Sequence, residues 1–513
     1  MGVYFVQTLH LLGAGFLTQQ IVSVVGGADK GTWLTLPLTF TPVLLGPPVS
    51  QSADFWGRKW FVVGFTYFGT VGCIVVSRSN SIGMAIAGQV VAALAHSCQA
   101  LLHAITSEVI PRRYRPLAQS CNNVASGTGA LIGLFAGGAL CRHNPAGFRD
   151  YFYMLAALYA VAATIIIFVY NPPKRQEQRL RNSQKLHSLD LPGWIMLIVA
   201  LLTFCVGLGW SENPYDWKNA HVLAPFLVGV VSTIGLACYV KFFKEHGLID
   251  HDLFRESRNF AVAEICIFAE GVSLLAANNY FGFQVTILYR KDLWQTSLTY
   301  TITWYSYIVF AILTGFYCSR TKSIRTPVMV AFSSFTLFFI LMATTNLHSS
   351  KAVWGYCIFL GLGLGVALNA LVVVAQLSTP KHLISTTTGL LIATRALGAA
   401  VGLTIFDAVF NSTLKTNLVP KITEAALATG LPKSSLNQFI VALTTGDVAK
   451  IEATTGISPS ILEASTLALK EAYNIGFRNV YISGGCFSFF ALFSKSLPLE
   501  LCVPINFFQW RRS

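Results

Sequence analysis

The string Asp54-Phe-Trp-Gly57-Arg58-Lys59 places one carboxylate and two cations around a glycine, between the second and third of many apolar runs. Charges in so short a turn make ion pairs and helix-end contacts of about 1 kcal/mol each when water reaches them. Contacts of that size bias an equilibrium between two states without locking it. The turn therefore reads as a latch against an opposing bundle. Arg58 and Lys59 alone would suffice to set membrane topology, a job to which Asp54 and Gly57 add nothing.

Other chemistry-bearing side chains lie inside the apolar runs. Gln89, His96, Gln99 and His103 stand at i, i+7, i+10 and i+14, one helical stripe about 20 Å long. Lipid penalises such a face, so the stripe either lines a water-filled cavity, where histidines change charge near neutral pH, or hydrogen-bonds neighbouring helices. Glu264 lies just inside a run and is expected to reach the interface. Glu270, with Asn278 and Asn279 further along, is nearer mid-depth. A carboxyl there either exchanges a proton, making it the candidate for proton coupling, or is a hydrogen-bonded structural group. Arg395 cannot discharge and needs a carboxylate, carbonyls or a water path. Asp407, twelve residues on, is about 18 Å away along the axis and on another face, so it is not the expected partner. Arg395 is either a clamp within its bundle or a contact for cargo.

Composition says which elements must hold these residues. Of 513 residues 54% are apolar and 11% charged, against about one-quarter charged in soluble domains. The solvent is lipid. A net charge of +14 does not indicate nucleic acid, because the Lys and Arg sit in short links instead of on one solvated face. Eleven cysteines occur singly, with no C-x-x-C pair or metal-ligand spacing, and read as small apolar residues. Neither a G-x-x-x-x-G-K-[ST] phosphate loop nor a nucleophile constellation occurs, so neither an ATP-driven pump nor an enzyme is expected. No cofactor or metal is called for.

Scanning for runs of about 20 apolar residues gives about fourteen spans. Their limits are 3–25, 32–53, 60–77, 82–109, 117–141, 151–170, 192–210, 221–240, 260–288, 297–318, 327–346, 352–378, 386–410 and 479–501. Lys and Arg concentrate in alternate links, as at Arg58, Lys59, Arg112, Arg113, Arg115, Lys174, Arg175, Lys241, Lys244, Arg320 and Lys381. That side, and both termini, are expected to be cytoplasmic. Met1 leads almost directly into an apolar run without a basic leader, so a cleaved peptide is not expected.

The expected class is an all-α polytopic membrane protein. Residues 1–170 make an N-terminal six-helix bundle, 171–258 a basic cytoplasmic linker with two extra spans, and 259–410 spans 9 to 13 of a C-terminal bundle. Residues 411–478 form an extracellular amphipathic loop, with helices capping the outer face, and 479–513 the last span and tail. Asn411-Ser412-Thr413 is a glycosylation sequon on the outer side. Gly127 to Gly138 in span 5 and Gly389 to Gly402 in span 13 echo each other, as the internal repeats of secondary transporters do.

These residues are similar to the major facilitator superfamily, in its fourteen-span drug:proton antiporter type, and more narrowly to the fungal trichothecene efflux pumps. The broad marks are Asp54, Gly57, Arg58 and Lys59 in the turn, and Gly129, Gly133, Gly137 and Gly138 of a G-x-x-x-G-P-x-x-G-G antiporter motif. The narrower marks are the strings at 46–61, 103–119 and 387–402. Ser50 stands where the turn motif opens with Gly, Leu134 where the antiporter motif has Pro, and Gln89 where span 4 often has Arg. The resemblance implies two six-span bundles rocking about a central cavity, with spans 7 and 8 as an extra pair. Spans 1, 4, 9 and 12 would line the path, which adds Gln19, Gln20, Asn369 and Gln376 to Gln89, His96, Gln99, His103 and Asn278. The implied activity is proton-driven export of hydrophobic, toxin-like small molecules across the plasma membrane by a monomer. Siderophore-iron uptake is the alternative, and a non-transporting nutrient sensor a third reading.

Overall fold

A chain that spends most of its length in hydrocarbon must satisfy its backbone polar groups within each segment, and long apolar runs do so as helices. The computed structural model describes residues 1–111, 114–172, 189–211, 215–243, 258–289, 293–379, 383–432, 435–445 and 457–493, with single residues at 182, 185, 251 and 253. The helices are α1 (Gly2–Phe16), α2 (Thr18–Val25), α3 (Leu36–Trp56), α4 (Arg58–Ser77), α5 (Ile82–Ala93), α6 (Gln99–Val109), α7 (Arg115–Leu140) and α8 (Phe148–Val169). Then follow α9 (Leu191–Gly209), α10 (Ala220–Phe242), α11 (Arg258–Tyr289), α12 (Leu293–Thr321), α13 (Arg325–Ala343), α14 (Ala352–Leu377), α15 (Ile384–Ala428), α16 (Leu436–Thr445) and α17 (Pro459–Phe493). The all-α polytopic class holds, and the expected spans fall on helix as far as the described residues reach. Among the described residues ten helices are long and apolar enough to cross a membrane, or eleven if α1 and α2, bent by 58°, count as one. Most of the basic link at 171–191 and the tail after 493 lie outside the described residues.

Glycine decides how closely these helices approach. A Cβ on Gly129 of α7 would stand 2.2 Å from the Phe5 carbonyl oxygen of α1, and one on Gly133 would be 3.0 Å from that of Leu9. In the second half, a Cβ on Gly398 of α15 would be 2.1 Å from the Phe268 carbonyl oxygen of α11, and one on Gly402 would be 3.0 Å from Val272 Cα. The two halves thus repeat one device, a Gly-x-x-x-Gly ridge of one helix laid on residues four apart on its neighbour. The sequence echo between spans 5 and 13 is this packing. Gly127 and Gly138 turn the other way, towards Tyr307, Ile308 and Ser297 of α12, so α7 carries glycine on both its intra-half and inter-half faces. Leu134 is fully buried in the larger core beside Leu12 and Leu131.

Two helices stand apart. Backbones of α9 and α10 meet at Gly207 and Gly229, where a Cβ would be 2.6 Å and 2.5 Å from Phe226 N and Phe204 N. Leu201 and Cys205 of α9 lean on Leu36, Phe40 and Leu403. On α10 only Val222 and Gly229 are buried, leaving its remaining surface for lipid.

The outer link differs from expectation. α15 runs unbroken from Ile384 to Ala428, past the expected end at 410, and α17 begins at Pro459 instead of 479. The capping helices are therefore mostly prolongations of two spans. With α16 they enclose a small core of their own from Ile422, Ala426, Phe439, Ile440, Leu443 and Ile461, and Lys421 pairs with Glu471 at 3.3 Å. The sequon at Asn411 falls inside α15, where the Thr413 hydroxyl donates to Val409 O and accepts from Asn479 Nδ2. Asn411, the acceptor of that motif, thus stands on a helix instead of in a loop.

Gly129→Ala should sharply lower the yield and melting temperature of detergent-purified protein, because the α7–α1 backbones must separate. Gly64→Ala, where a Cβ meets nothing within 4 Å, should be neutral or stabilising by up to about 1 kcal/mol. Equal behaviour of the two variants would contradict the packing described.

Candidate functional site: a closed cavity at the junction of the halves

Where the two halves meet, a cavity is lined by Tyr4, Thr8, Leu11, Leu12, Gln99, Ser126, Leu274, Trp304, Tyr307, Leu364 and Arg395. Its walls are mostly apolar and aromatic. Thr8 of α1 and Ser126 of α7 place their hydroxyls 2.8 Å apart, and the Arg395 guanidinium is the one charge in the lining. The enclosed space is about 40 Å³, room for a few waters but far below the several hundred Å³ of a drug-sized site. This conformation is closed around its centre.

Arg395 has a partner the sequence did not reveal. Its Nε donates to Glu270 Oε2 at 2.6 Å and its Nη2 to Glu270 Oε1 at 2.9 Å, while Glu270 is wholly buried. α11 and α15 can bring the pair together because Gly271 lets the Arg395 backbone approach, a Cβ there falling 2.0 Å from Arg395 O. Such a side-on, two-point pair fixes the guanidinium as well as neutralising it. Asp407 is bound elsewhere, accepting from the Tyr280 hydroxyl at 2.5 Å.

Both ends are shut by inter-half contacts. At the end bearing the Asp54 turn, Ser107 and Gln119 donate to Gln376 Oε1, and Gln376 Nε2 donates to Thr388 at 3.1 Å. Ser50 of α3 faces Gly389 of α15, where only hydrogen fits. At the opposite end, Gly138 lies against Ser297 and Trp294, and Arg142 stands over the Trp294 ring.

An apolar cavity closed at both ends between two repeat-related helical halves is transporter architecture, and sequence comparison agrees. The Major Facilitator Superfamily profile matches residues 3–403. The chain belongs to that superfamily. Among fungal relatives, "MFS-type transporter ucsD" of Acremonium sp is 23% identical, the match covering 77% of this chain and 67% of the relative. The "Trichothecene efflux pump TRI12" of Fusarium sporotrichioides is 21% identical over 89% of this chain and 76% of its own. A bacterial homologue of the human lysosomal transporter Spinster, solved inward-facing and occupied, superposes with a TM-score of 0.54 at 13% identity, covering 96% of this chain and 95% of that one. That likeness shows the fold.

In this facilitator the stripe on span 4 takes another form than expected. A 3₁₀ segment at Leu94–Cys98 interrupts the helix, so the four residues do not keep one line. Only Gln99 reaches the cavity. Gln89 Oε1 is 3.0 Å from His10 Nε2, His96 Nε2 is 3.4 Å from His10 Nδ1, and His103 Nδ1 is 2.7 Å from Gln119 Oε1. Gln89, His96 and His103 are buried among helices of their own half, the neighbour-bonding alternative. His10 escaped the sequence reading, although a histidine inside an apolar run carries the same signal. Tyr4, Thr8, Ser126, Trp304 and Tyr307 carried none, because such residues are ordinary anywhere in a helix bundle.

The charged turn also points elsewhere than expected. Arg58 pairs with Asp54 at 2.7 Å and with Glu108 of α6, and Lys59 donates to Asn171 at 2.5 Å. Asp54 and Glu108 belong to the first six spans and Asn171 to the link that follows them, and Arg58 is only 4% exposed. The ties across the halves at this end run through Gln376 and Gly389 instead. Of the other expected path residues, Asn369 donates to Ser120 and to Ala311 O, Gln19 is exposed and Gln20 half-buried on α2, and Asn278 lies on α11 with its side chain outside what is described. Gly129 and Gly133 face α1, a Cβ on Gly137 would be 3.5 Å from the Leu17 side chain, and Gly138 faces α12.

Arg395→Ala should cost about 3–5 kcal/mol, by stranding a buried carboxylate, and show as a large drop in thermal stability. The double variant Glu270→Gln with Arg395→Gln should recover a good part of that loss. A single variant as stable as wild type would mean the pair is not formed.

Proposed function

We propose that this facilitator exports hydrophobic, toxin-like small molecules from the cytosol, driven by a proton gradient and working by alternating access. It acts as a monomer in the plasma membrane, with the end bearing Asp54 on the cytoplasmic side. The observation that carries the reading is the closed, largely apolar cavity with the Glu270–Arg395 pair in its wall. A charge pair there is costly unless it serves the cargo path, and the walls suit an apolar solute with a few oxygen atoms for Arg395, Thr8 and Ser126 to bond. The fungal relatives named as efflux transporters support the direction, and the excess of Lys and Arg at one end supports the orientation.

Opening the end that bears Asp54 parts the Gln376 and Gly389 contacts among others, and opening the opposite end parts those of Gly138 and Trp294. Neutral hydrogen bonds of about 1 kcal/mol each leave the two openings within reach of thermal motion. The Arg58 cluster keeps α3, α4 and α6 moving as one body.

Purified protein in sealed vesicles, given a pH step, should accumulate a trichothecene or a lipophilic dye in proportion to the gradient, and collapse of the gradient should abolish accumulation. Flux that is equal with and without the gradient would reduce the function to facilitated diffusion. Uptake of ferric siderophore complexes in place of the dye would reverse the assigned role.

A further inference from the structure

The seam between α11 and α15 holds two carboxyls in opposite circumstances. Glu270 is bound at both oxygens by Arg395. Glu264, expected at the interface, instead has both carboxyl oxygens closed off by protein, and neither takes a hydrogen bond. Thr394, the residue before Arg395 on α15, sets its hydroxyl beside Glu264. Six residues separate the two carboxyls, about 9 Å along the helix, and Glu264 is the one nearer the basic end.

A carboxylate buried without a cation, beside a single hydroxyl able to donate to it, is costly by several kcal/mol. A proton removes that cost, since the neutral acid carries no charge and its O–H has the Thr394 hydroxyl to accept it. For Glu270 the balance is reversed, because protonation would strand the Arg395 guanidinium. Among the described residues around Glu264 none supplies a compensating charge; the side chains of Arg255 and Arg258, which precede it in the chain, lie outside them. On α15 the charged groups are Arg395, held by Glu270, Asp407, bound by Tyr280, Lys415 and Lys421, paired with Asp216 and Glu471, and Glu424 beyond them. α14 has no charged residue; Tyr4 of α1 and Tyr307 of α12 act on Arg395; Arg320 is exposed at the end of α12. Glu463, Lys470 and Glu471 of α17 lie at the far end of the seam, and Arg478 of the same helix is exposed.

We propose that Glu264, not Glu270, is the carboxyl that binds and releases the coupled proton, with Thr394 accepting its hydrogen bond, and that Glu270–Arg395 remains an ion pair through the cycle. This rests on the proton-driven reading above. When the basic end opens, water reaches Glu264, the O–H bond breaks, the electron pair stays on the carboxylate and the proton leaves as hydronium. Cargo at Arg395 and proton at Glu264 then occupy separate seats on one seam, linked by whether that end is open.

Infrared difference spectra of the protein in vesicles, recorded through a pH titration, read the carboxylic-acid C=O band directly. The band should be present in wild type and in Glu270→Gln, absent in Glu264→Gln, and restored in Glu264→Asp. Loss of the band in Glu270→Gln but not in Glu264→Gln would overturn the assignment. In flux measurements Glu264→Gln should lower gradient-driven accumulation at least tenfold while keeping exchange of preloaded dye, and unchanged accumulation would also overturn it. If wild type shows no gradient-driven flux, the proton-driven reading falls, and the infrared band alone then decides whether Glu264 holds a proton.

Discussion

A guanidinium that cannot discharge, set between apolar helices, constrains everything around it. Arg395 needs a carboxylate held rigidly enough to make two hydrogen bonds, so α11 and α15 must come close enough for Glu270 to reach it. Gly271, Gly398 and Gly402 permit that approach, and a methyl group at the first two would collide with backbone oxygen. Packing and electrostatics are one arrangement here. The glycine seam makes the ion pair possible, and the ion pair repays the burial of two charges only because the seam fixes its geometry.

The first half uses the same seam for another end. Gly129 and Gly133 bring α7 onto α1 as Gly398 and Gly402 bring α15 onto α11, yet no charge pair sits at the first junction. Thr8 and Ser126 meet there instead. One half therefore offers the cavity neutral hydroxyls and the other a cation backed by a buried anion. A repeat that keeps its backbone packing while its polar groups diverge yields an asymmetric site at the junction of two similar bodies.

The strength of the contacts sorts them by role. Inside each half stand the costly ones: the Arg395 pair, the buried Arg58 cluster and the histidine contacts around His10. Between the halves run neutral hydrogen bonds through Gln376 and close glycine contacts. Strong bonds thus lie within the bodies and weak ones between them, and the Arg58 cluster of the charged turn is one of the strong ones.

Composition, charge asymmetry and the length of apolar runs determined from sequence that this is a helical membrane protein, roughly where each span lies and which loops are basic, because lipid imposes those terms on every segment locally. The glycine echo was legible for the same reason, since small residues at fixed spacing act through their own helix face. Partnership was not legible. Arg395 demanded a carboxylate, but choosing Glu270 among the acids, 125 residues away in the chain, depends on how two helices are rotated and offset. Likewise the partners of Arg58, the break in the helix before Gln99 and the sealing of Glu264 follow from neighbours distant in sequence. Sequence fixes what each helix must hide from lipid; only the tertiary packing decides what it hides it against.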